Sequence, residues 1–336
     1  DEFLRSLQEP SPVSIRYNPK KRKPQGNDPV PWCASGRYLD HRPSFTRDPL
    51  FHAGAYYVQE ASSMLIEQAV NQSVETSKPL IALDLCAAPG GKSTHLLSLL
   101  SQESLVISNE VIRSRASTLI ENVEKWGYPN VVVTQNDPAD FSALEDYFDL
   151  ILVDAPCSGE GLFRKDAQAM EEWSPKNVAL CASQQRRIVA DVWASLRPGG
   201  GLIYSTCTFN AEENQDNLRR IKENHDCAFE RIRFDPAWGV AEVGEEGCTG
   251  YQCLPHRVRG EGFFFSVIRK VGENAGRRTR VKDRLQYPHT AEVDILKTWI
   301  NHPEKYFFFL HGSTVRMLPV PHRADFQVLL ERLHVL

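Results

Sequence analysis

The sequence predicts an α/β protein built on a doubly wound, mainly parallel sheet, and three observations predict it. From Lys78 onward, short apolar runs alternate with amphipathic helical stretches, the order that builds parallel sheets. The run Leu80–Leu85 breaks at Pro89-Gly90-Gly91 and gives way to a helical pattern, the strand, turn and helix N-terminus of a nucleotide-binding loop. Asp84, Glu110, Asp137, Asp154 and Cys207 all fall at or just past the carboxyl ends of expected strands, where open α/β sheets bind ligands.

Taken in order, Ser14–Asn18 reads as a short strand before the basic run Lys20–Lys23, and Glu60–Val70 as a helix entering the central region. Leu80–Leu85 is a buried strand, and Ser93 is the expected cap of a helix running to Leu100. Strands follow at Leu105–Glu110, Asn130–Gln135, Asp149–Asp154 and Gly201–Ser205. Arg113–Trp126 and Asn177–Leu196 are the intervening helices, the second ended by Pro198-Gly199-Gly200. Asn210-Ala-Glu-Glu213 resembles a capping box that opens a helix to about Asn224. Phe229–Phe234 and Phe263–Ile268 supply two last strands. Beyond them, helices at Asp294–Ile300 and Ala324–Leu333 and strands at Tyr306–Leu310 and Thr314–Val320 make a small α+β appendage. The expected division is 1–75, an N-terminal region; 76–270, the sheet domain; 271–285, a basic linker with Arg277, Arg278, Arg280, Lys282 and Arg284; and 286–336, the appendage.

Charge is unevenly spread along the 336 residues, whose formal net charge is -4. Residues 1–50 carry 9 basic and 6 acidic side chains, 51–268 carry 18 and 30, and 269–336 carry 12 and 7. Basic flanks around an acidic middle suit a polyanionic partner held by the flanks. Trp32, Tyr38, Phe45, Phe51, Tyr56 and Tyr57 among Arg37, Arg42 and Arg47 suit stacked bases and gripped phosphates, though the same aromatics serve equally as core. The eight cysteines contain no C-x-x-C pair, which argues against structural zinc and for a reduced, cytoplasmic setting. No metal is expected, and no apolar run has transmembrane length.

Two nucleotide-binding decoys fall away. Gly91-Lys92-Ser93-Thr94 resembles the end of a P-loop, but Cys86 occupies the position of its first glycine, and no G-x-G-x-x-G is present. What remains is a set of carboxylates. Glu110 at the end of the second strand suits a ribose diol, Asp137 an adenine amino group, and Asp84 and Asp154 an ammonium. Adenine, ribose, no phosphate and an ammonium end describe S-adenosylmethionine. Cys157 and Cys207 sit after neighbouring strands beside that site. Carbon 5 of a pyrimidine accepts a methyl group only after a thiolate adds to carbon 6, so such a site needs a nucleophilic cysteine, an acid near ring nitrogen 3 and a second base.

These residues carry a resemblance. Asp84-Leu-Cys-Ala-Ala-Pro-Gly-Gly-Lys92, Asp154-Ala-Pro-Cys157-Ser-Gly and Ser205-Thr-Cys207-Thr resemble motifs I, IV and VI of the RNA 5-methylcytosine methyltransferases of the Fmu/NOL1/NOP2/Sun family. Pro255-His256-Arg-Val-Arg-Gly260-Glu-Gly262-Phe-Phe is similar to that family's late motif. The match covers roughly residues 10–270 and looks closest to the bacterial RsmF/YebU branch, which modifies small-subunit ribosomal RNA. The resemblance implies a Rossmann-like class I methyltransferase domain with Cys207 as nucleophile, Cys157 assisting proton removal and release, and Asp154 and Lys92 lining the active site. It implies that Asp84, Cys86, Ala87, Ala88, Pro89, Gly90, Gly91, Lys92, Glu110, Asp137 and Asp154 bind S-adenosylmethionine, with Arg115 assisting. The expected substrate is RNA, ribosomal first and transfer RNA second. The 286–336 appendage resembles the start of that branch's PUA-like extension.

Three competing readings remain distinct. DNA-type cytosine methyltransferases use the Pro-Cys cysteine as attacker, which would make it Cys157 and leave Cys207 without a task. An NTPase would draw on Gly91-Lys92-Ser93 and Leu150–Asp154. A silent RNA-binding ribosome assembly factor would share the fold without the reaction.

Overall fold

Period-2 alternation along the central strands sends neighbouring side chains to opposite faces of one sheet, so each strand feeds two cores. Ala82, Val106, Leu150, Leu152 and Ile203 pack on one face, and Leu83, Ile107, Ile151, Val153 and Leu202 on the other. Both faces are buried, as a sheet covered by helices on each side requires. The structure is a computed structural model that describes residues 2–273 and 282–336; Arg277, Arg278 and Arg280 of the expected linker lie outside the described residues.

The chain begins with α1 (Glu2–Ser6), β1 (Val13–Tyr17), β2 (Gly36–Leu39), α2 (Pro49–His52) and β3 (Tyr56–Val58). These strands form a small antiparallel sheet in the order β2-β1-β3. After α3 (Ile66–Ser73) come β4 (Ile81–Asp84), α4 (Gly91–Leu99), β5 (Leu105–Asn109), α5 (Arg113–Trp126), β6 (Val131–Thr134) and β7 (Phe148–Asp154). Then follow α6 (Ala167–Glu172), α7 (Pro175–Trp193), β8 (Leu196–Thr206), α8 (Gln215–Asn224), β9 (Cys227–Phe229), β10 (Ala241–Glu245), β11 (Cys248–Cys253) and β12 (Phe263–Lys270). The main sheet has nine strands, ordered β10-β11-β12-β8-β7-β4-β5-β6, with β9 beside β12. Strands β8, β7, β4, β5 and β6 run parallel, and β12 closes onto β8 antiparallel. From β4 the chain moves outward through β5 and β6 and then returns to the other side through β7 and β8. The gap between β4 and β7 is therefore the switch point where such sheets bind ligands. The parallel sheet with helices on both faces is the Rossmann-like α/β architecture that the sequence predicts.

Several local expectations are corrected. Ser93 does not cap its helix: Gly90, in the left-handed region at φ 109°, is the N-cap of α4, and the Ser93 hydroxyl donates instead to Asp84. Asn210–Glu213 does not open a helix; α8 starts at Gln215, and Glu213 turns back to Ser158. Pro198-Gly199-Gly200 lies within β8, where a register shift against β7 absorbs it as a bulge, a position that tolerates proline. The stretch expected as a helix over Glu60–Val70 opens as a 3-10 turn at Ser62–Leu65 before α3. Of the strand expected at Phe229–Phe234, only Phe229 lies in a strand, β9, which ends there, and the β10–β11 hairpin was not expected at all.

Most of the N-terminal aromatics are core: Trp32, Tyr38, Phe45 and Tyr56 are buried, while Phe51 and Tyr57 are half-buried. The small sheet is bound tightly to the glycine turn by Arg16. Its guanidinium is fully buried, donates to Gln59 (2.7 Å), Thr94 Oγ1 (2.6 Å) and the Gly91 carbonyl (3.1 Å), and lies 4.7 Å from the Trp126 ring centroid. Burial lowers its pKa to about 10.

The last residues, α9 (Thr290–Lys297), β13 (Tyr306–His311), β14 (Thr314–Pro319) and α10 (Arg323–Arg332), form an α+β unit whose apolar side is continuous with the main core. Phe307, Phe309, Leu318, Phe326 and Leu329 share one cluster with Tyr147, Phe148 and Val132. Val335 bridges to Thr134 on the β6 edge, and Leu336 N donates to the Val133 carbonyl. The unit covers an edge that would otherwise be open.

Candidate functional site

Two cavities open above the carboxyl ends of the parallel strands and share their floor. One, of about 430 Å³, is lined by Leu85, Cys86, Asn109, Glu110, Ile112 and Asp137 among others. The second, of about 390 Å³, is lined by Tyr57, Lys92, Lys165, Glu261, Gly262 and Phe263 among others. Cys86, Ala88, Asp154, Leu162 and Cys207 border both.

The glycine turn is held by its carbonyls. Arg115 donates to the Ala88 carbonyl (2.7 Å) and Asn122 to the Pro89 carbonyl (2.8 Å), while Ala87 N donates to the Asn109 carbonyl (2.8 Å). Gly90 needs to be glycine for its positive φ and because a Cβ there would come within 3.3 Å of Leu119. Ala87 and Ala88 are buried.

The four expected cofactor carboxylates differ sharply in environment. Glu110 is buried; its Oε1 accepts from Ile112 N (2.9 Å), while Oε2 has no hydrogen bond and lies 3.4 Å from Arg115. Asp84 is buried, with Oδ2 accepting from Ser93 (2.6 Å) and Oδ1 unpartnered. Burial, reinforced by Asp154 and Glu110 and opposed by Ser93, raises its pKa to about 7. Buried carboxylate oxygens without donors are costly unless a ligand supplies them. Asp137 is different: it is more exposed, accepts from Ala139 N (3.1 Å) as a helix cap and faces Arg187 at 3.4 Å on the cavity rim. Asp154 has a donor on each oxygen, Lys92 Nζ on Oδ2 (2.7 Å) and Ser205 Oγ on Oδ1 (2.8 Å). The structure thus gives the two unoccupied acceptors to Glu110 and Asp84.

The thiols meet where the cavities join. Cys157 Sγ and Cys207 Sγ are 3.1 Å apart, and both cysteines are free. The hydrogen bond from Cys157 lowers the pKa of Cys207; Lys92 adds to this, while burial and Asp154 oppose it. The same contact, with burial, raises that of Cys157. Burial alone would lower Lys92, but the adjacent Asp154 outweighs it and holds the ammonium above its ordinary value. Either sulfur can donate in that contact, so the two thiols titrate as a pair, with Cys207 pushed down and Cys157 pushed up. Burial also raises the Cys86 thiol, reinforced by Asp84, so that it lines the cavity as an uncharged group.

Sequence reasoning missed several lining residues. Val111 and Ile112, about half exposed, are apolar groups directly after Glu110 and offer walls for a flat ring. Leu162 borders both cavities. Glu261 accepts from the buried Arg164 (3.0 Å), with Lys165 at 3.8 Å. Glu60 accepts from the backbone of Ser62, Ser63 and Glu261 at 2.8–2.9 Å. The late motif 255–264 was the signal available for Glu261, Gly262 and Phe263. Away from the cavities, Cys33, Glu67 and His95 are the group among the described residues that brings three metal-capable side chains together. His95 Nε2 donates to Glu67 Oε2 at 3.1 Å, burial lowers its pKa to about 4, and a cation there would compete with the nearby charge of Arg16.

The chain is similar to known proteins over most of its length. A family described as 16S rRNA methyltransferase RsmB/F matches residues 72–269, and the N-terminal domain of 16S rRNA methyltransferase RsmF matches 1–61. The ribosomal RNA small subunit methyltransferase F of Pectobacterium atrosepticum is 37% identical over 290 residues, 81% of this chain and 59% of that protein. That of Shewanella woodyi is 32% identical, over 92% of this chain and 67% of that protein. The chain spans about three fifths of the length of the first of these. A methyltransferase homologue from Pyrococcus horikoshii is similar in structure, with TM-score 0.67 and 28% identity over 80% of this chain and 90% of that one. NSun6 from the same organism, solved with SFG, shares the fold at TM-score 0.67 and 21% identity, over 81% of this chain and 94% of that one. By its match over the whole sheet domain, the chain belongs to the RsmB/F family of 16S rRNA methyltransferases.

Proposed function

We propose that the chain transfers a methyl group from S-adenosylmethionine to carbon 5 of a cytosine in small-subunit ribosomal RNA, in the cytoplasm, with no metal. The observation that carries this reading is the meeting of two cavities at Asp154 and Cys207, with the second thiol 3.1 Å away. One cavity suits the methyl donor: Glu110 Oε2 would accept from ribose hydroxyls and Asp84 from the ammonium, and Ile112 would offer an apolar wall to the adenine. When bound, that group supplies an electrophilic methyl on a sulfonium. The other cavity suits a cytosine turned out of its stack between Tyr57, Phe263 and the Lys92–Asp154 pair.

The residues divide the work. The Cys207 thiolate adds to carbon 6, and the Lys92–Asp154 pair supplies the proton that ring nitrogen 3 takes up, which leaves carbon 5 electron-rich. Once carbon 5 carries the methyl, water takes its proton, the electron pair left on carbon 5 expels the Cys207 thiolate as the carbon 6–sulfur bond breaks, and ring nitrogen 3 returns its proton to the Lys92–Asp154 pair. Cys157, as the protonated partner of Cys207, assists that release. Within this reading, 1–75 and 286–336 serve as RNA-binding regions beside the 76–270 methyltransferase domain, joined by a basic linker at 271–285. The test is incubation with small-subunit ribosomal RNA and S-adenosylmethionine labelled in the methyl group, followed by bisulfite mapping. A single cytosine gaining a 5-methyl group is expected. Label on another atom, or none, would overturn the assignment.

A further inference from the structure

The loops that carry the two cysteines exchange glutamates. Glu160 follows Cys157, yet it holds the Cys207 loop: its Oε2 accepts from Thr208 Oγ1 (2.9 Å) and Phe209 N (3.0 Å). Its Oε1 accepts from Trp173 Nε1 (2.9 Å) and Asn210 Nδ2 (3.4 Å). Glu213 follows Cys207, yet it holds the Cys157 loop: its Oε2 accepts from Ser158 N (3.0 Å) and from Gln185 Nε2 (2.7 Å). Gln185 also donates to the Pro156 carbonyl (2.9 Å), fixing the residue on the other side of Cys157. Between the loops, the Ser158 and Thr208 hydroxyls are 3.1 Å apart, and Gly161 N donates to the Cys207 carbonyl (2.8 Å). A Cβ at Gly161 would fall 2.6 Å from that carbonyl oxygen, so the loops touch backbone to backbone. Glu160 is 8% exposed and Glu213 0%. Carboxylates buried among neutral donors are expensive, and a fold that needed only stability would do better with apolar side chains.

We infer that Glu160 and Glu213 are positioning residues that form a reciprocal clamp, each fixing the loop of the opposite cysteine so that Cys157 stays within hydrogen-bond reach of Cys207. Neither carboxylate touches a sulfur; each acts through a loop backbone. The inference rests on the methyl-transfer reading for its purpose, but its test needs neither cofactor nor RNA. If the clamp lapses, Cys207 loses the donor that favours its thiolate.

Iodoacetamide alkylation of Cys207, followed by peptide mass spectrometry across a pH series, reads this directly in the intact chain. In the wild type, Cys207 should react with a midpoint below that of a free thiol, about 8.5. Glu160→Ala and Glu213→Ala should move the midpoint up toward that value. Glu213→Gln should restore the wild-type profile, because the two shorter bonds, from Gln185 Nε2 (2.7 Å) and Ser158 N (3.0 Å), both reach Oε2, and only the 3.4 Å approach of Ser158 N reaches Oε1. Glu160→Gln should not, because donors reach both of its oxygens and an amide nitrogen would face two of them. Unchanged melting temperatures identify the variants that are folded. Should the alanine variants not fold, Thr208→Val, which removes one Glu160 bond and the Ser158 contact at equal volume, should give the same upward shift. Folded variants with the wild-type midpoint would overturn the clamp. If methyl transfer is measured alongside, the loss should fall on kcat with KM unchanged; a clamp result without methyl transfer would count against the reaction and leave the clamp standing.

Discussion

Replacing Glu110 by glutamine isolates one oxygen. Glu110 is 2% exposed, and its Oε1 is already engaged by Ile112 N at 2.9 Å. Glutamine keeps that bond and the side-chain volume but puts an amide nitrogen where Oε2 stood, against the Arg115 guanidinium 3.4 Å from that position. Oε2 is the oxygen that has no hydrogen bond in the unliganded protein, so what is lost is an acceptor for ribose. A hydrogen bond to a charged group contributes about 1.5–3 kcal/mol. At about 1.4 kcal/mol per tenfold, Kd should rise roughly 10- to 150-fold. Calorimetry with S-adenosylhomocysteine measures it, and 5′-methylthioadenosine, which keeps the ribose and lacks the amino-acid end, should lose the same factor. Asp84→Asn should weaken the first ligand and leave the second unaffected. Equal affinity of wild type and Glu110→Gln for both ligands would refute the ribose assignment.

Because burial lifts Asp84 to about 7, the unliganded protein retains a proton there that an unfolded chain, with a carboxyl near about 3.9, releases at lower pH. The native state binds the extra proton between those values, so this group's contribution to stability is full below about 4 and is lost as pH rises through about 7. Ligand binding has the opposite sign: an ammonium needs the carboxylate, so S-adenosylhomocysteine affinity should fall as pH drops below about 7, and Asp84→Asn should abolish that slope. A slope that survives in Asp84→Asn would place the titration elsewhere. Phe326, 2% exposed and 4.5 Å from Phe309 between ring centroids, should cost roughly 3–5 kcal/mol when cut to alanine. Since its cluster is continuous with the main core, thermal unfolding should remain one transition; two separated transitions would show that 286–336 unfolds on its own.

What was legible in the sequence is what local pattern encodes. The alternation of apolar runs gave the parallel strands, and the acids at their ends gave Glu110 and Asp154 at the cavities, while Asp84 is buried against Ser93 and lines neither. The roles of individual polar groups were not legible where a long-range partner outbid the local one. Ser93 and Glu213 each look like helix caps in sequence, but a buried carboxylate and a distant amide claim them. Asp137, the acid expected at an adenine, lines the Glu110 cavity while its Oδ1 also caps a local turn. The N-terminal aromatics suited RNA as well as core, and only packing against Met64 and Ile66 decides for Trp32 and Tyr38. The docking of 306–336 on the β6 edge depends on contacts nearly 200 residues apart in sequence, such as Asn136 with His334, which no local pattern carries. The 3.1 Å approach of the thiols is likewise a product of two loops and not of either motif.

The central claim is that Cys207 attacks and Cys157 releases, and the measurement that tests it most directly is trapping of the protein–RNA adduct. Each cysteine is replaced by alanine in turn, and the protein is incubated with small-subunit ribosomal RNA and S-adenosylmethionine and run on a denaturing gel. Cys157→Ala should accumulate a covalent complex, because addition proceeds while release stalls. Cys207→Ala should give neither product nor complex. A complex in Cys207→Ala and none in Cys157→Ala would contradict the assignment and exchange the two roles.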